Sequence, residues 1–392
     1  MPKILHTSDW QIGKLFGQFA SADSAFLAQA RFDAVERIAA LATAQAADAV
    51  LVAGDIFDAQ GVADHTIHRL FNAMAGYGGP WVLIPGNHDA ALAESVWTRA
   101  QRLQAIAANV TLCLAPRPVL LEAAGLAVLP AVMTQRNTYA DLTEWFDGAG
   151  TPAGLVRVGL AHGSVQGLLA QGIDSPNPIA ADRAERAGLD YLALGDWHGT
   201  RQVDARTWYS GTPETDRFRA NDSGQALWVD LPGPGAAPVI TPMQTGCYRW
   251  HGAAFELRVP ADAEQAVAAL RRFGRHDVVQ LVVSGEIDLA GHTRLLAAIE
   301  QARGLTRGLL CDLDDLRLQP TADDIAALHA DGYLGEVIAD LRAAQSGAQA
   351  AVARDALAIL SSVLNASGGA PVPAATPPSE TSASILTGAG QS

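Results

Sequence analysis

The chain has 392 residues, 49% of them hydrophobic, with mean hydropathy +0.12, so it can bury two or three cores and is neither fibrous nor disordered. Its formal net charge is −14 and its only lysines are Lys3 and Lys14, which argues against holding nucleic acid by general electrostatics, because neutralising phosphates takes clustered Lys and Arg. Cys113, Cys247 and Cys311 are scattered and form no CxxC, so neither a disulfide framework nor a thiolate zinc site is suggested; with no basic-then-apolar start and no apolar run of membrane-spanning length, a cytoplasmic protein with no membrane contact is expected.

Lys3 to Thr7 reads as a strand, and Ser8 to Gly13 as the loop leaving it. Asp9 and Gln11, two apart, leave the same side of an extended segment and can reach one ion, although alone they fit a solvated turn equally well. An Ala-rich amphipathic helix is predicted from Phe26 to Ala47, then a buried strand Ala49 to Ala53 ending in Gly54-Asp55. A helix around Ala63 to Tyr77 leads to the strand Trp81 to Pro85 and the turn Gly86-Asn87-His88-Asp89. Strand, helix, strand, helix, strand with a polar group past each strand implies parallel pairing, and open α/β sheets build their sites at that edge.

Further on, a helix from Leu92 to Ala108 and strands around Val110 to Leu114, Val119 to Glu122 and Leu126 to Pro130 are expected. The strand Val156 to Ala161 runs into His162, and after a helix near Ala181 to Ala187 the strand Tyr191 to Leu194 ends in Gly195-Asp196-Trp197-His198. A lone His past a strand is more often structural than a ligand. Asp9, Gln11, Asp55, Asn87, His162, Asp196 and His198 together match the needs of two octahedral ions sharing one carboxylate.

In their order these motifs resemble the calcineurin-like metallophosphoesterases, and among them the SbcD type nucleases of DNA double-strand-break repair. The family pattern D-x-H, G-D, G-N-H-[DE], H, G-H-x-H stands here as Asp9-Trp10-Gln11, Gly54-Asp55, Gly86-Asn87-His88-Asp89, His162 and Gly195-Asp196-Trp197-His198, over residues 1 to about 230. Gln11 and Asp196 replace two family His residues and shift the donors from nitrogen to oxygen, favouring Mn²⁺ or Mg²⁺ over Zn²⁺. The resemblance implies an α/β fold, a β-sandwich flanked by helices, with Asp9, Gln11, Asp55 and His198 on one divalent ion and Asp55, Asn87, His162 and Asp196 on the other. His88 would be the catalytic acid, with Asp89 orienting it. Arg201, Arg206, Arg217 and Arg219 follow the last motif; contact with a phosphate backbone is one reading, and a solvated face beside Asp204 and Asp216 is the one preferred.

The expected organisation is a phosphoesterase domain at 1–250, a small α/β capping domain at 251–320, a helical segment at 321–366 and a disordered tail at 367–392. In the capping region the expected elements are a strand from Phe255, a helix from Asp262 to Phe273, a strand from Val278, a helix from Leu289 to Ala302 and one strand from Gly308 to Leu318. Helices at Asp323 to Ala344 and Ala351 to Leu364 complete the helical segment. They pack back on the capping domain or, as the resemblance implies, on the coiled coil of an SbcC type SMC-like ATPase. The resemblance implies DNA as substrate and a homodimer. A small-nucleotide phosphoesterase and an inactive scaffold for the ATPase are the alternatives.

Overall fold

The computed structural model describes residues 1–167, 176–319 and 333–367. The first ten residues of the expected Asp323 helix and the tail from 368 lie outside the described residues. Contacts divide the chain into one unit of Met1–Phe255, Val267–Val282 and Ala297–Asp312, and a second of Glu256–Ala266, Val283–Leu296 and the chain from Leu313.

Two six-stranded sheets form the first unit. One sheet contains β1 (Lys3–Thr7), β2 (Ala49–Ala53), β3 (Trp81–Ile84), β4 (Val110–Leu112), β13 (Gln225–Asp230) and β14 (Val239–Gln244), in the order β14-β13-β1-β2-β3-β4. The other contains β5 (Val119–Leu121), β6 (Leu126–Pro130), β7 (Val156–His162), β10 (Tyr191–Gly195), β11 (Arg201–Gln202) and β12 (Thr207–Tyr209), in the order β11-β12-β10-β7-β6-β5. A small ribbon of β8 (Ser164–Val165) and β9 (Pro178–Ile179) follows β7.

The strands are apolar on both faces because both faces are covered. Ile4 and Leu51 point into the core between the sheets, where they meet Val128, Val158 and Leu160. Their neighbours Leu5, Val50 and Val52 face α1 (Ser21–Ala44) and α2 (Asp64–Met74), whose Val35, Ile38, Ile67 and Leu70 bury against them. β1, β2 and β3 run parallel, as do β7 and β10, so each group of strands delivers its carboxyl ends to one edge.

Two expected elements are shorter than expected. The Leu92 to Ala108 helix is only α3 (Val96–Arg102), because Ser95 caps it by accepting from the Thr98 amide and Gln104 turns left-handed at φ 51°. The Ala181 helix reduces to the single turn α4 (Arg183–Arg186).

The remaining strands are β15 (Arg249–Leu257), β16 (Asp277–Ile287), β17 (Gly308–Asp312) and β18 (Leu316–Leu318), with helices α5 (Pro260–Leu270) and α6 (Leu289–Leu305). The single strand expected from Gly308 to Leu318 is two: β17 pairs with Val278 to Val282 of β16, whereas β18 pairs with Gly285 to Ile287, beyond the left-handed turn of Gly285 at φ 97°. In the second unit α7 (Tyr333–Ala344) and α8 (Ala350–Ser367) pack on each other. Gln345 exchanges two 2.8 Å bonds with the backbone of Leu318, and buried Arg354 donates to the carbonyls of Asp314 (3.1 Å) and Leu316 (2.6 Å).

One polar pair sits deep in the first unit. His6 Nε2 donates to the Leu194 carbonyl at 3.2 Å, leaving Nδ1 to accept from the Tyr191 hydroxyl at 2.8 Å. Burial, opposed only by the carbonyl bond, lowers the His6 pKa to about 3. Unfolded His6 takes up its proton near pH 6.5 and folded His6 does not, so stability is full above pH 6.5 and is lost as pH falls toward 3. In that window His6→Leu should flatten the acid limb of a denaturant-measured stability curve by about one proton, ~1.4 kcal/mol per pH unit. An unchanged slope would place the proton elsewhere.

Candidate metal centre

Five strand ends build one cluster. The loop after β1 runs beside the loop after β2, with the Asp9 amide donating to the Gly54 carbonyl (3.0 Å), Gln11 to Asp55 (3.0 Å) and Ile12 to Ile56 (2.8 Å). Asp9, Gln11, Asp55 and Asp196 all hold left-handed φ angles, 53°, 50°, 51° and 100°, a concentration of backbone strain typical of functional sites. Gly54 and Gly86 let the loops close. A Cβ at Gly54 would stand 2.5 Å from His162 Nδ1, and one at Gly86 2.3 Å from Asp55 Oδ1.

Asp9, Asp55 and His162 are buried, and their ligating atoms all lie within 4.8 Å of one another. His162 Nδ1 donates to the Ala53 carbonyl at 2.8 Å, so Nε2 faces the cluster. There Nε2 meets Asn87 Oδ1 at 3.0 Å, Asp55 Oδ1 at 3.5 Å and Asp196 Oδ1 at 3.8 Å. The two carboxylate oxygens and an unprotonated Nε2 are acceptors facing one another, reconciled by a proton on Nε2, by the Asn87 amide nitrogen or by a cation. Burial alone would lower the His162 pKa, but Asp55, Asp9, Asp196 and the Ala53 carbonyl outweigh it and raise it to about 9. With Nε2 unprotonated, the Asn87 amide is satisfied with its nitrogen toward the cluster, donating to Nε2 at 3.0 Å and to both Asp55 oxygens at 3.2 Å. The cluster thus draws in positive charge, and its donors fit a divalent ion.

Gln11 and His198 lie on the other flank. Gln11 Nε2 donates to Asp55 Oδ2 at 2.8 Å, so this amide presents nitrogen to that carboxylate and would have to turn over to offer its oxygen to an ion. His198 Nε2 stands 4.0 Å from Asp9 Oδ1, and its Nδ1 lies 3.2 Å from Asp216 Oδ2. Burial would raise the Asp216 carboxyl, but the bond from His198 and the charges of His198, Arg31 and Lys14 hold it well below the usual carboxylate range. Asp216 therefore stays ionised, bound by Lys14 at 2.7 Å and Arg217 at 3.0 Å, and steadies His198.

His88 lies one third exposed at the mouth, its amide donating to Asp55 Oδ1 at 2.8 Å and its Nε2 4.0 Å from Asp55 Oδ2. The orientation expected from Asp89 comes from elsewhere: His88 Nδ1 bonds the Asp58 carbonyl at 2.7 Å. Asp89 turns away and accepts from the amides of Ile56 (2.9 Å), Phe57 (3.0 Å) and Gly86 (2.6 Å), stapling two loops together. Burial and then the charge of Asp55 push its carboxyl up to about 7, against those amide bonds.

Arg31 of α1, absent from the expected set, is wholly buried under the first loop. It donates to the carbonyls of Trp10, Asp9 (3.0 Å) and Glu214 (3.2 Å) and to Thr212 Oγ1 (2.7 Å). Ser8 Oγ adds a 2.6 Å bond to Asp9 Oδ2.

Residues 2–231 match the calcineurin-like phosphoesterase family. The chain is 36% identical over 96 residues to the SbcD component of the SbcCD nuclease of Rhodobacter capsulatus, covering 23% of this chain and 22% of that protein. It is 28% identical over 264 residues to the DNA double-strand break repair protein Mre11 of Aeropyrum pernix, covering 61% and 60%. The chain spans less than two thirds of the length of either relative. The crystal structure of TT1561 of Thermus thermophilus aligns with 62% of this chain and 99% of that one at 12% identity and a TM-score of 0.38. With the family match covering more than half of its length and ending just past β13, which pairs with β1 in the first sheet, the chain belongs to the calcineurin-like phosphoesterases.

Proposed function

We propose that this chain is a metal-dependent phosphodiesterase that cleaves DNA, as the nuclease subunit of a complex with a coiled-coil SMC-like ATPase. The convergence of Asp55, Asp196 and His162 beside buried Asp9, with the Asn87 amide against His162 and Asp55, carries the reading. The names of the two relatives favour DNA and an SbcC type partner. On this reading Asp9, Gln11, Asp55 and His198 hold one ion and Asp55, Asn87, His162 and Asp196 the other, with Mn²⁺ preferred and Mg²⁺ tolerated by the oxygen-rich set. Divalent ions held by these residues would supply charge neutralisation for phosphoryl oxygens and a lowered pKa for bound water.

The protein's own groups do the rest. The Asp58 carbonyl accepts a hydrogen bond from Nδ1–H of His88, so a second proton on this ring would sit on Nε2, available to a leaving oxygen. Arg31 and Asp89 fix the loops that carry Asp9, Asp55 and His88. Residues 251–320 would form the capping module, the helix pair would carry the ATPase contact with α8 offering exposed Val352 and Ile359, and two copies would pair through the phosphoesterase domain.

The test is Mn²⁺-dependent hydrolysis of linear duplex DNA and of bis-p-nitrophenyl phosphate by wild type and His88→Ala. Wild type should cleave both. His88→Ala should lose about 10²–10⁴-fold on DNA, whose alkoxide leaving group needs a proton, and much less on the aryl ester, whose phenolate does not. Wild type inert on both substrates would sink the enzymatic reading, and cleavage of the aryl ester alone would replace DNA by a small substrate.

A further inference from the structure

The four arginines after the last motif do not form one solvated face. Arg206 spends its guanidinium on the carbonyls of Asp190 (3.2 Å), Ala236 (2.9 Å) and Gly235 (2.7 Å), and Arg217 is tied to Asp216 and His198. Arg201 and Arg219 differ. Both guanidiniums lie over the Trp197 ring, 5.2 and 5.3 Å from its centroid, and among the described residues neither side chain has a hydrogen-bond or carboxylate partner. An arginine held by an indole face keeps its N–H donors unspent, whereas one held by carbonyls does not.

Trp197 stands between Asp196 and His198, so this pair of cations is anchored one residue from two of the cluster's side chains. It is a local reversal of charge in a chain of net charge −14. A mononucleotide monoester offers one phosphate, which the cluster itself would take. A polynucleotide strand carries another about every 3.4 Å of axial rise, and a second anion subsite beside the first suits such a substrate.

We infer that Arg201 and Arg219, seated on Trp197, form a subsite for a non-scissile phosphate of a nucleic acid strand lying across the cluster. The inference rests on the phosphodiesterase reading above and names its substrate as a chain. The two residues contribute to binding along the strand and take no part in bond cleavage. Trp197 positions them.

The experiment is fluorescence anisotropy of a labelled 20-nucleotide single strand, titrated with full-length wild type, Arg201→Gln/Arg219→Gln and Arg206→Gln with Ca²⁺ present, at several salt concentrations. DNA cleavage by wild type with Mn²⁺ runs in parallel. Loss of two charge-assisted phosphate contacts should weaken the double variant by about tenfold or more. It should also reduce the slope of log affinity against log salt by about 1.4, while Arg206→Gln follows wild type. Substitution of both by Lys should restore most of the slope, because the charge returns. If wild type cleaves DNA and the double variant binds with wild-type affinity and slope, the subsite is overturned and the nuclease reading stands. If wild type neither binds nor cleaves DNA yet hydrolyses bis-p-nitrophenyl phosphate, the DNA reading falls and takes the subsite with it.

Discussion

Asp55→Ala should lower phosphodiester hydrolysis about 10³-fold or more, the rate equivalent of ~4 kcal/mol of lost transition-state stabilisation. No other side chain touches so much of the cluster. One Asp55 oxygen accepts from the His88 amide and lies 3.5 Å from His162 Nε2, and the other accepts from Gln11. Removing it takes away the carboxylate common to both proposed ion positions and the anchor of the proposed acid. The fold should survive, because the carboxylate is one of several like charges crowded together and its loss relieves their repulsion. Steady-state kinetics on bis-p-nitrophenyl phosphate beside a thermal melt separates the two effects. A variant that melts with wild type and retains more than a tenth of its kcat would remove Asp55 from the centre of the chemistry.

Arg31→Met should destabilise the protein by about 3–5 kcal/mol, the range for breaking a buried charged network by removing one partner. Methionine fills the aliphatic volume of arginine but donates nothing. The Trp10 carbonyl would lose its arginine donor, and the Asp9 and Glu214 carbonyls would be left to share the one proton of the Thr212 hydroxyl, each group that stayed unpaired costing about 1–3 kcal/mol. Burial lowers the Arg31 pKa, while Asp216, Glu214, Asp58 and Asp9 favour its charge. The substitution therefore also strips these carboxylates of a fixed cation. For a domain of this size the loss amounts to a drop in Tm of about 10 °C. Arg31→Lys, which keeps the charge and loses the fork, should fall between the two. A melt of Arg31→Met at the wild-type temperature would contradict this account.

Strand ends were legible in the sequence for a physical reason. A run such as Ala49 to Ala53 is apolar at every position because α1 covers one face and the second sheet the other, so Asp55 stands out sharply just past it. The same contrast marks Asn87, His162 and Asp196. Parallel order then predicts that these ends share an edge, which is where the structure brings them together. Arg31 was not legible: it sits in a helix whose neighbours Phe32 and Val35 read as core, and nothing local says that its side chain ends against a loop joined to it only through tertiary packing. The bond between His88 and the Asp58 carbonyl escapes for a related reason. Backbone acceptors carry no residue signature, so the carboxylate next in sequence, Asp89, stood in for a carbonyl thirty residues away. Segment ends such as those of α3 depend on one cap and one left-handed residue, and apolar spacing alone overruns them.

The most direct test of the central claim is a Mn²⁺ titration of metal-depleted protein, followed by calorimetry and by the loss of the free-ion electron paramagnetic resonance signal. Wild type should take up two ions per chain, and Asp55→Ala should bind neither with comparable affinity. Wild type that shows no saturable uptake, or an Asp55→Ala variant that binds two ions as wild type does, would contradict it.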